Sequence, residues 1–428
     1  MKNTLGLILA GGRVNELAAL TMYRPKSAMP FGGMFRVIDC ALTNLSTSGI
    51  SKIGILSQYR PYSLMDHVRD GKYWDFRSFD KSVRFLPPHS GETDADWYKG
   101  TADALYQNCE FIEQHKCPLT LIVSGDHIYR MNYGVLFEIH RRTKADLTMA
   151  VTPVPKETAH LYGVAKVSQD SYVEEYREKP AEYFSNLASM TVYLFDTKVL
   201  IKELKKNAKT GKTFQIYDEI IPELVKKNRV SAYIHRGYWS YSRSFESYYQ
   251  ANLDCLDQTE KIDLAKWKLF TNYDTGRIGD HPPIQTGADA KIVNSIISPG
   301  CIIEGTVKNS VLSPLVVVGK GSEVIDSVLM EGVTIGENSV IQRSVVDKFV
   351  SVGADVRVGC RKQTDESLIA NMTTPELLYC GLTVIGKRAQ IPDKMRIGTN
   401  VMIYPETQSK MFQGCEVNDG MTIFRGEV

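Results

Sequence analysis

The sequence predicts two structured parts: a Rossmann-like α/β domain built on a mostly parallel sheet, followed by a left-handed parallel β-helix. Two observations support this fold class. Up to about residue 285, short apolar runs alternate with stretches of helical periodicity, which is typical of a layered α/β domain. Beyond that point aliphatic residues recur every five or six positions, which is typical of a solenoid.

Short apolar runs in the first part are predicted to be buried strands, because each is bounded by Gly, Asp, Pro or Ser. The predicted strands are Leu5–Ala10, Ile53–Ser57, Leu119–Val123, Leu147–Val151 and Thr191–Phe195. Helical periodicity between them predicts helices at Gly134–Thr143 and Val199–Lys206. In sheets of this kind, ligands bind beyond the carboxyl ends of the strands.

An aliphatic-glycine pair that recurs every 17 residues marks the second part. The pairs are Val318-Gly319, Ile335-Gly336 and Val352-Gly353. In a β-helix the aliphatic side chain points inward, and the small residue lets the chain turn a corner. Residues 361–428 are less regular, although Ile385-Gly386 and Ile397-Gly398 predict further coils. Since a solenoid leaves open ends, this part favours oligomerisation.

Composition and charge exclude several classes of protein. The 428 residues suggest two or three domains, and 43% hydrophobic residues suffice for ordinary cores. Lys and Arg number 51 against 49 Asp and Glu, so charge alone indicates no nucleic-acid or membrane partner. The sequence contains no run of about 18 apolar residues, so it predicts no membrane-spanning helix. The cysteines are scattered and form no CxxC pair, which favours reduced thiols and a cytoplasmic protein without a zinc site.

These patterns predict three segments. Residues 1–257 form the α/β domain, residues 258–285 form a connector that ends near Pro282-Pro283, and residues 286–428 form the β-helix. We expect the β-helix to serve assembly and regulation. An acyltransferase site on the β-helix is disfavoured, because such enzymes commonly use a histidine of a coil as general base. The last histidine of this chain, His281, precedes the repeat.

The first residues carry a more specific signal. A strand, a Gly-Gly loop and a helix together form an anion-binding geometry. Leu7–Gly12 followed by Arg24–Gly33 resembles the sugar-1-phosphate nucleotidyltransferases, and the longer match is to the bacterial glucose-1-phosphate adenylyltransferase (ADP-glucose pyrophosphorylase) family. Further motifs that carry this resemblance are Phe31–Asp39, Ser57-Gln58-Tyr59, Trp97–Ala104, Ser124–Tyr129, Tyr162-Gly163-Val164, Glu178-Lys179-Pro180 and Leu187–Met190. The resemblance covers almost the whole chain and implies a nucleotidyltransferase fold for the first domain.

The resemblance also implies a chemistry. Members of this family join ATP and glucose 1-phosphate into ADP-glucose and pyrophosphate. The sugar phosphate attacks the α-phosphorus of ATP in line, so that catalysis consists of positioning and charge neutralisation. Such a site needs a cationic cradle for the triphosphate and a magnesium ion held by carboxylates.

The chain departs from the family at the triphosphate loop. The family's loop runs Gly-Gly-x-Gly-Thr-Arg-Leu, whereas this chain reads Gly-Gly-Arg-Val-Asn-Glu-Leu over residues 11–17. Val14 stands at the position of a glycine, and a β-branched residue disfavours the positive φ that glycine adopts. Glu16 replaces the arginine that meets the triphosphate. Both changes predict weak binding of ATP.

A second departure lies at the expected metal site. Tyr241, within Trp239–Ser244, stands at the position of the metal-binding aspartate of the family. A neutral phenol is a poor ligand for Mg²⁺, which prefers carboxylate and water oxygens. Asp126 alone remains of the two expected carboxylates. We therefore expect no firm cofactor, and Mg²⁺ only if residual activity exists.

The resemblance implies that remnants of a site persist elsewhere. Lys26 and Asp126 are vestigial catalytic residues. Candidates for substrate binding are Gly11, Gly12, Gln58, Tyr98, Gly163, Glu178, Lys179 and Ser189. Thr191 replaces a glycine beside Ser189, and residues 214–218 replace a His-Asp-Phe-Gly-Lys stretch near the hexose. Arg24 and Arg36 are candidates for holding a phosphorylated effector.

This combination of kept scaffold and lost groups resembles the catalytically deficient regulatory subunit of glycogen biosynthesis in some Gram-positive bacteria. That subunit assembles with a catalytic glucose-1-phosphate adenylyltransferase subunit into a heterotetramer and raises its activity. We expect the same role and the same kind of partner here. Two alternatives stay open: a weakly active adenylyltransferase in its own right, and a binding subunit that senses sugar phosphates or nucleotides.

Overall fold

The computed structural model describes residues 3–12, 16–78, 80–88, 97–227, 229–257, 261–360 and 368–424. The chain divides into two compact units. Unit one comprises Met1–Gly12 and Ile38–Trp239, and unit two comprises Arg13–Val37 and Ser240–Val428. The segment 13–37 therefore belongs to the same unit as the C-terminal half of the chain. The sequence-based limits 1–257, 258–285 and 286–428 stay a prediction.

Within the described part of unit one, nine strands form a mixed sheet. In chain order they are β1 Thr4–Leu9, β2 Lys52–Leu56, β3 Ser82–Leu86, β4 Leu119–Ser124, β5 Leu147–Pro153, β6 Gly163–Val167, β7 Val173–Glu178, β8 Leu187–Asp196 and β9 Val230–Ile234. Their order across the sheet is β7-β6-β8-β4-β1-β2-β3, and β5 pairs with β8 and β9. Strands β4, β1, β2 and β3 run parallel, whereas β8 is antiparallel to β4. All five strands predicted from the sequence are present.

Helices flank this sheet. The α-helices are Ile38–Thr47, Tyr62–Val68, Thr101–Gln107, Cys109–Gln114, Gly134–Thr143, Thr197–Thr210 and Ile221–Lys226. Shorter elements are the 3₁₀ helices Lys72–Trp74 and Lys156–Leu161, the π-helix Ile216–Ile220 and the strand His127–Tyr129. The strand Trp239–Tyr241 begins at the last residue of unit one, and its other two residues belong to unit two. Both helices predicted from the sequence are confirmed. The longer one begins at Asp196, whose carboxylate accepts hydrogen bonds from the first backbone N–H groups and so caps the helix.

The core of unit one lies between the sheet and these helices. Leu7, Ile122 and Phe195 from three strands are fully buried, and they share one apolar cluster with Leu105 and Leu200 from two helices. Burial of each such side chain contributes about 1.5–3 kcal/mol to stability. This core fixes the strand ends on which most of the predicted binding residues lie.

Unit two is built around a three-faced parallel β-helix. The first face of the described chain consists of Gln285–Thr286, Ile302–Ile303, Val317–Val318, Thr334–Ile335, Ser351–Val352 and Gln390–Ile391. The second consists of Lys291–Val293, Thr306–Lys308, Glu323–Ile325, Val340–Gln342, Arg357–Val358, Arg396–Ile397 and Glu416–Val417. The third consists of Ile296–Ile297, Val311–Leu312, Val328–Leu329, Ser344–Val346, Thr383–Ile385, Met402–Ile403 and Thr422–Ile423. The β-helix predicted from the sequence is therefore confirmed.

The 17-residue repeat corresponds to one coil. Val318 pairs with Ile335, and Ile335 pairs with Val352, in parallel register. All three side chains are buried in one apolar cluster that runs through the coils. The next pairing joins Val352 to Ile391, because the chain between Val358 and Thr383 is longer than in the other coils. Coils then continue to Thr422–Ile423, as Ile385 and Ile397 predict.

The described part of unit two also contains elements outside the three faces of the β-helix. They are the helices Ala18–Thr21, Phe245–Leu253 and Leu264–Trp267, the 3₁₀ helices Lys26–Ala28, Asp254–Leu256, Thr275–Asp280 and Ser409–Met411, and the strands Pro30–Phe31 and Phe35–Arg36. The Tyr248 hydroxyl donates to the carbonyl of Pro30 at 2.6 Å, and the Tyr249 hydroxyl donates to that of Asp326 at 2.7 Å. One helix thus ties the segment 16–37 to the coils. In the described part of the chain, no helix has the length and apolar character needed to cross a membrane.

Candidate functional site

Three residues that the sequence singles out meet in unit two. Lys26 opens the 3₁₀ helix Lys26–Ala28 and is almost completely buried. Its ammonium lies 2.8 Å from Oε2 of Glu16 and 3.2 Å from the hydroxyl of Tyr241. The same ammonium lies 4.4 Å from the centroid of the Tyr241 ring. Both residues that replace the groups expected from the family resemblance therefore contact Lys26.

This contact sets the electrostatics of the cluster. The Glu16 carboxylate offsets the positive charge of Lys26, which an anionic ligand would otherwise meet. The Tyr241 ring adds a cation–π contact, which contributes about 0.5–2 kcal/mol depending on solvation. Lys26 donates to both partners, so its position is fixed by groups of the protein itself.

Asp126 lies in unit one, directly after β4. The Ser124 hydroxyl donates to its carboxylate, and Nε2 of His127 lies 3.8 Å from Oδ1. Tyr241 accepts its hydrogen bond from Lys26 within unit two. No group of three or more His, Cys, Asp and Glu in the described ranges could hold a metal ion. A single carboxylate and a phenol do not fit the paired carboxylates that the family resemblance implies for magnesium.

The glycines of the first loop differ in their surroundings. A Cβ added to Gly11 would lie 2.4 Å from Cα of Ser57, so only glycine fits at this end of β1. A Cβ added to Gly12 would meet nothing within 4 Å. Val14 lies outside the described residues, and its predicted effect on the loop stays a prediction.

Gln58 and Tyr98 are brought together in unit one. The Gln58 side chain accepts a hydrogen bond from the backbone N–H of Tyr98 at 2.8 Å. The Tyr98 hydroxyl donates to the carbonyl of Leu86 at 2.9 Å and accepts from the Asn108 amide at 3.0 Å. The two motifs that contain these residues are thus held at the ends of neighbouring strands, and a binding role for them stays a prediction.

Glu178 and Gly163 face each other across β6 and β7. The Tyr176 hydroxyl donates to Glu178 at 2.9 Å, and a Cβ on Gly163 would lie 2.0 Å from that hydroxyl. A side chain at this position would require Tyr176 and Glu178 to move. The Lys179 side chain is exposed. Tyr176 was not singled out from the sequence, although its spacing of two from Glu178 places both on one face of a strand.

Ser189 lies at an irregularity in β8. Its hydroxyl lies 2.9 Å from that of Tyr193, and both side chains are buried. The register of β8 against β5 shifts between these two residues. Within the shift, Thr191 has a φ of +52°, which glycine adopts freely and a β-branched residue does not. Thr191 therefore has a backbone conformation that suits glycine.

The segment 214–218 is bound to the Trp97–Ala104 motif. The Gln215 side chain accepts hydrogen bonds from the backbone and hydroxyl of Thr101, both at 3.0 Å. The carbonyl of Phe214 accepts from the backbone N–H of Ala102 at 2.8 Å. Burial, together with the charges of Glu178 and Asp218, raises the pKa of Tyr217 to about 12. Tyr217 is therefore a neutral hydrogen-bonding group near Glu178.

The two predicted effector residues lie in unit two. Arg24 forms a buried ion pair with Asp347 at 2.6 Å, and Arg36 donates to the carbonyl of Ala28 at 3.2 Å. Two lysines of the β-helix lie near them. Burial, with added repulsion from Arg36, lowers the pKa of Lys348 to about 8, and Glu331 at 2.5 Å partly offsets this. Burial and the nearby Arg24 lower the pKa of Lys387. Sequence reasoning missed both lysines, because nothing in their local sequence marks them.

Comparison with known proteins is consistent with this arrangement. A family model described as nucleotidyl transferase matches residues 5–258, and one described as GlmU-like, C-terminal hexapeptide matches residues 283–375. The glucose-1-phosphate adenylyltransferase of Acetivibrio thermocellus is 34% identical over 429 residues, covering 99% of this chain and 98% of that protein. That of Thermomicrobium roseum is 37% identical, with the same coverage. That of Clostridioides difficile is 42% identical over 342 residues, covering 78% of this chain and 86% of that protein.

Proposed function

This chain belongs to the glucose-1-phosphate adenylyltransferase family, and we propose that within it the chain acts as a catalytically deficient regulatory subunit. It assembles with a catalytic paralogue and raises the rate at which that paralogue makes ADP-glucose from ATP and glucose 1-phosphate. The observation that carries this proposal is the contact of Lys26 with both Glu16 and Tyr241. The two kinds of subunit form a heterotetramer in this proposal.

The charge of Glu16 argues against binding of a triphosphate beside Lys26. One unit charge at about 5 Å, with an effective dielectric constant of about 20, is worth roughly 3 kcal/mol. Replacing a positive by a negative side chain therefore penalises each nearby phosphate charge by roughly 6 kcal/mol before screening. Even a third of that penalty would lower binding or rate by more than an order of magnitude.

Tyr241 argues against metal-assisted transfer. Its hydroxyl already accepts a hydrogen bond from Lys26, and a neutral phenol supplies no charge to hold Mg²⁺. Asp126, hydrogen-bonded to Ser124, is the one carboxylate left of the pair that the family resemblance implies. Nucleotidyl transfer depends on groups that neutralise the phosphate charges, and on this proposal the chain lacks two of them.

The rest of the scaffold supports a role in assembly. The contacts of Gln58 with Tyr98 and of Ser189 with Tyr193 are formed, so unit one keeps an ordered framework. At the start of the β-helix, the strand Lys291–Val293 pairs on one side only within the described chain. Ile292 and Val293 on that strand are exposed. An open strand edge with apolar side chains favours association.

The test is pyrophosphate release from ATP and glucose 1-phosphate with Mg²⁺. The protein is assayed alone and then titrated into a catalytic homologue from the same cell. We expect negligible release by the protein alone and a saturable rise in the homologue's rate. Robust release by the pure protein, abolished in Asp126→Ala, would replace this proposal by a weakly active adenylyltransferase.

One observation favours an additional sensing role. In unit two, the charges of Arg36 and Arg24 act on Lys348, and that of Arg24 acts on Lys387. Such a group of cations suits a phosphorylated metabolite. Calorimetry with glucose 1-phosphate, without any partner, tests this role. We expect binding that weakens in Arg36→Gln and is unchanged in Lys320→Gln, a matched change of an exposed cation elsewhere on the β-helix. Equal binding by both variants would exclude these cations as the site.

A further inference from the structure

We infer that a cleft in unit one binds a small amphipathic anion, that is, a molecule with an apolar body and one carboxylate, sulfonate or phosphate group. The cleft has a volume of about 660 Å³ and is lined by the segment 116–118 and by residues from the helices Cys109–Gln114 and Thr197–Thr210. The inference goes beyond the proposed function, because none of the residues predicted to bind substrate or effector lines this cleft.

The cleft lies at the amino end of β4, which is the end opposite to Asp126. Leu119 is the first residue of β4 and pairs with Asp196, which lines the cleft. Asp126 follows the last residue of the same strand, Ser124. A strand of this length spans roughly 17 Å at about 3.3 Å per residue. A ligand in the cleft is therefore separated from Asp126 by the length of the sheet.

The inner lining of the cleft is largely apolar. Ile112 and Cys117 are buried in the apolar core of unit one, and the half-buried Ile201 packs against that core. The hydroxyl of Thr197 lies 2.9 Å from that of Thr120, so it already has a partner within the protein. This lining offers few hydrogen bonds to the hydroxyl groups of a sugar, whereas it suits an apolar body.

The rim of the cleft supplies positive charge. The carboxylate of Glu113 lies 2.9 Å from the ammonium of Lys205, and that of Asp196 accepts hydrogen bonds from backbone N–H groups of the adjoining helix. Both carboxylates of the rim thus have partners within the protein. The side chains of Lys116 and Lys198 are exposed, and within the described ranges neither ammonium forms an ion pair. The charge that remains available to a ligand is therefore positive.

The size of the cleft distinguishes between kinds of anion. Clefts of about 300–1,000 Å³ accommodate small organic molecules, and an inorganic anion would leave the apolar lining in contact with water. A ligand that places its apolar body against Ile112 and Ile201, with its anionic group beside Lys116 and Lys198, uses both parts of the cleft. Burial of apolar surface and charge-assisted hydrogen bonds then both favour binding.

The experiment measures binding of two probes to the full-length chain by fluorescence titration. The anionic probe is 8-anilinonaphthalene-1-sulfonate, which joins an aromatic body to one sulfonate. The neutral probe is N-phenyl-1-naphthylamine, which has the same rings without the sulfonate. We expect the folded protein to bind the anionic probe saturably. Glucose 1-phosphate should not displace it, because the lining offers its hydroxyl groups few partners.

Charge on the rim is tested with Lys116→Gln/Lys198→Gln. We expect this variant to bind the anionic probe at least about threefold more weakly and the neutral probe with unchanged affinity. The control is Lys202→Gln/Lys209→Gln, which removes two exposed lysines of the same helix that do not line the cleft. An equal loss in both variants, or no loss in the first, would overturn the assignment of these two lysines to an anion.

The apolar lining is tested with Ile201→Glu, which should weaken binding of both probes at least about tenfold because it places a carboxylate against the apolar body. The control is Val199→Glu, the same change at another half-buried position of this helix that does not line the cleft. If Ile201→Glu does not fold, as judged by circular dichroism, Ile201→Gln replaces it. Unchanged affinity in the Ile201 variant, an equal loss in Val199→Glu, or no saturable binding by the unchanged protein would overturn the inference.

Discussion

Arg24 and Asp347 form a buried ion pair with 2.6 Å between Nη2 and Oδ1, although they lie far apart along the chain. The other contacts of the Arg24 guanidinium are the sulfur atoms of Met29 and Met330, which are weak acceptors. The pair therefore joins the segment 13–37 to the β-helix within unit two. The charge of Arg24 depends on Asp347 for its compensation.

We expect Asp347→Asn to lower the free energy of unfolding by about 3 kcal/mol, because removal of one partner leaves a buried charge without compensation. Urea unfolding followed by fluorescence measures this. Glu174→Gln is the control, since its ion pair with Lys166 is exposed and should contribute less than about 1 kcal/mol. Equal effects of the two substitutions would mean that Asp347 does not compensate Arg24.

The low pKa of Lys348 predicts a pH dependence. Burial lowers this pKa to about 8 from an ordinary value of 10.5, so the unfolded chain binds more protons than the folded chain between these values. Stability contributed by this group therefore rises with pH from about 8 to about 10.5. A pKa difference of one corresponds to about 1.4 kcal/mol. The free energy of unfolding should therefore rise by about 3 kcal/mol over this pH range.

Comparison with Lys348→Met isolates this effect, because the other titrating groups are common to both proteins. Free energies of unfolding are measured from pH 7 to 10. As the pH rises, we expect the free energy of unfolding of the unchanged protein to increase relative to that of the variant. Parallel profiles would show that Lys348 keeps an ordinary pKa.

Thr191 predicts a stabilising substitution. Its φ of +52° costs an L-residue roughly 1–2 kcal/mol, which glycine avoids. Glycine loses more backbone entropy on folding, so we expect Thr191→Gly to stabilise by about 0.5–1 kcal/mol. Thr191→Ala is the matched control and should not stabilise, because alanine meets the same strain. Chemical denaturation of the three proteins decides the matter; a less stable glycine variant would mean that the Thr191 side chain makes compensating contacts.

Substitution of both Glu16 and Tyr241 should restore part of the adenylyltransferase activity. The double substitution Glu16→Arg/Tyr241→Asp restores a cation and a carboxylate where the family resemblance implies them. Pyrophosphate release should rise at least about tenfold over the unchanged protein, which corresponds to about 1.4 kcal/mol of transition-state stabilisation. The control Glu16→Arg/Tyr241→Phe supplies no carboxylate and should gain less. If the first variant gains nothing, the two residues have been assigned to the wrong positions of the site.

Local sequence patterns were sufficient for much of the fold. The pairing of Val318, Ile335 and Val352 follows from a spacing that is fixed by the length of one coil. Leu5, Leu7 and their neighbours form a strand because a short apolar run bounded by glycine can bury both faces. The strand β8 begins at Leu187, four residues before the predicted start at Thr191, because the irregularity at Thr191 hides the continuity of the strand from a periodicity argument.

Less of the candidate site could be predicted from the sequence. The sequence, through the family resemblance, marked Glu16, Lys26 and Tyr241 as separate replacements or remnants. Their mutual contact depends on the path of the chain between residues 26 and 241. Likewise, Lys348 has no local feature that distinguishes it from an exposed lysine, and its low pKa arises from burial beside Arg36 and Arg24.

The sequence by itself determined the fold class and the repeat, because hydrophobic periodicity and motif spacing are properties of neighbouring residues. The family resemblance marked Glu16 and Tyr241 as departures from the family's motifs. Only the tertiary structure decided which charges compensate which. Glu16 neutralises Lys26 and Asp347 neutralises Arg24. An ion pair depends on distance and burial, and both are fixed when distant segments pack together rather than by the order of residues along the chain.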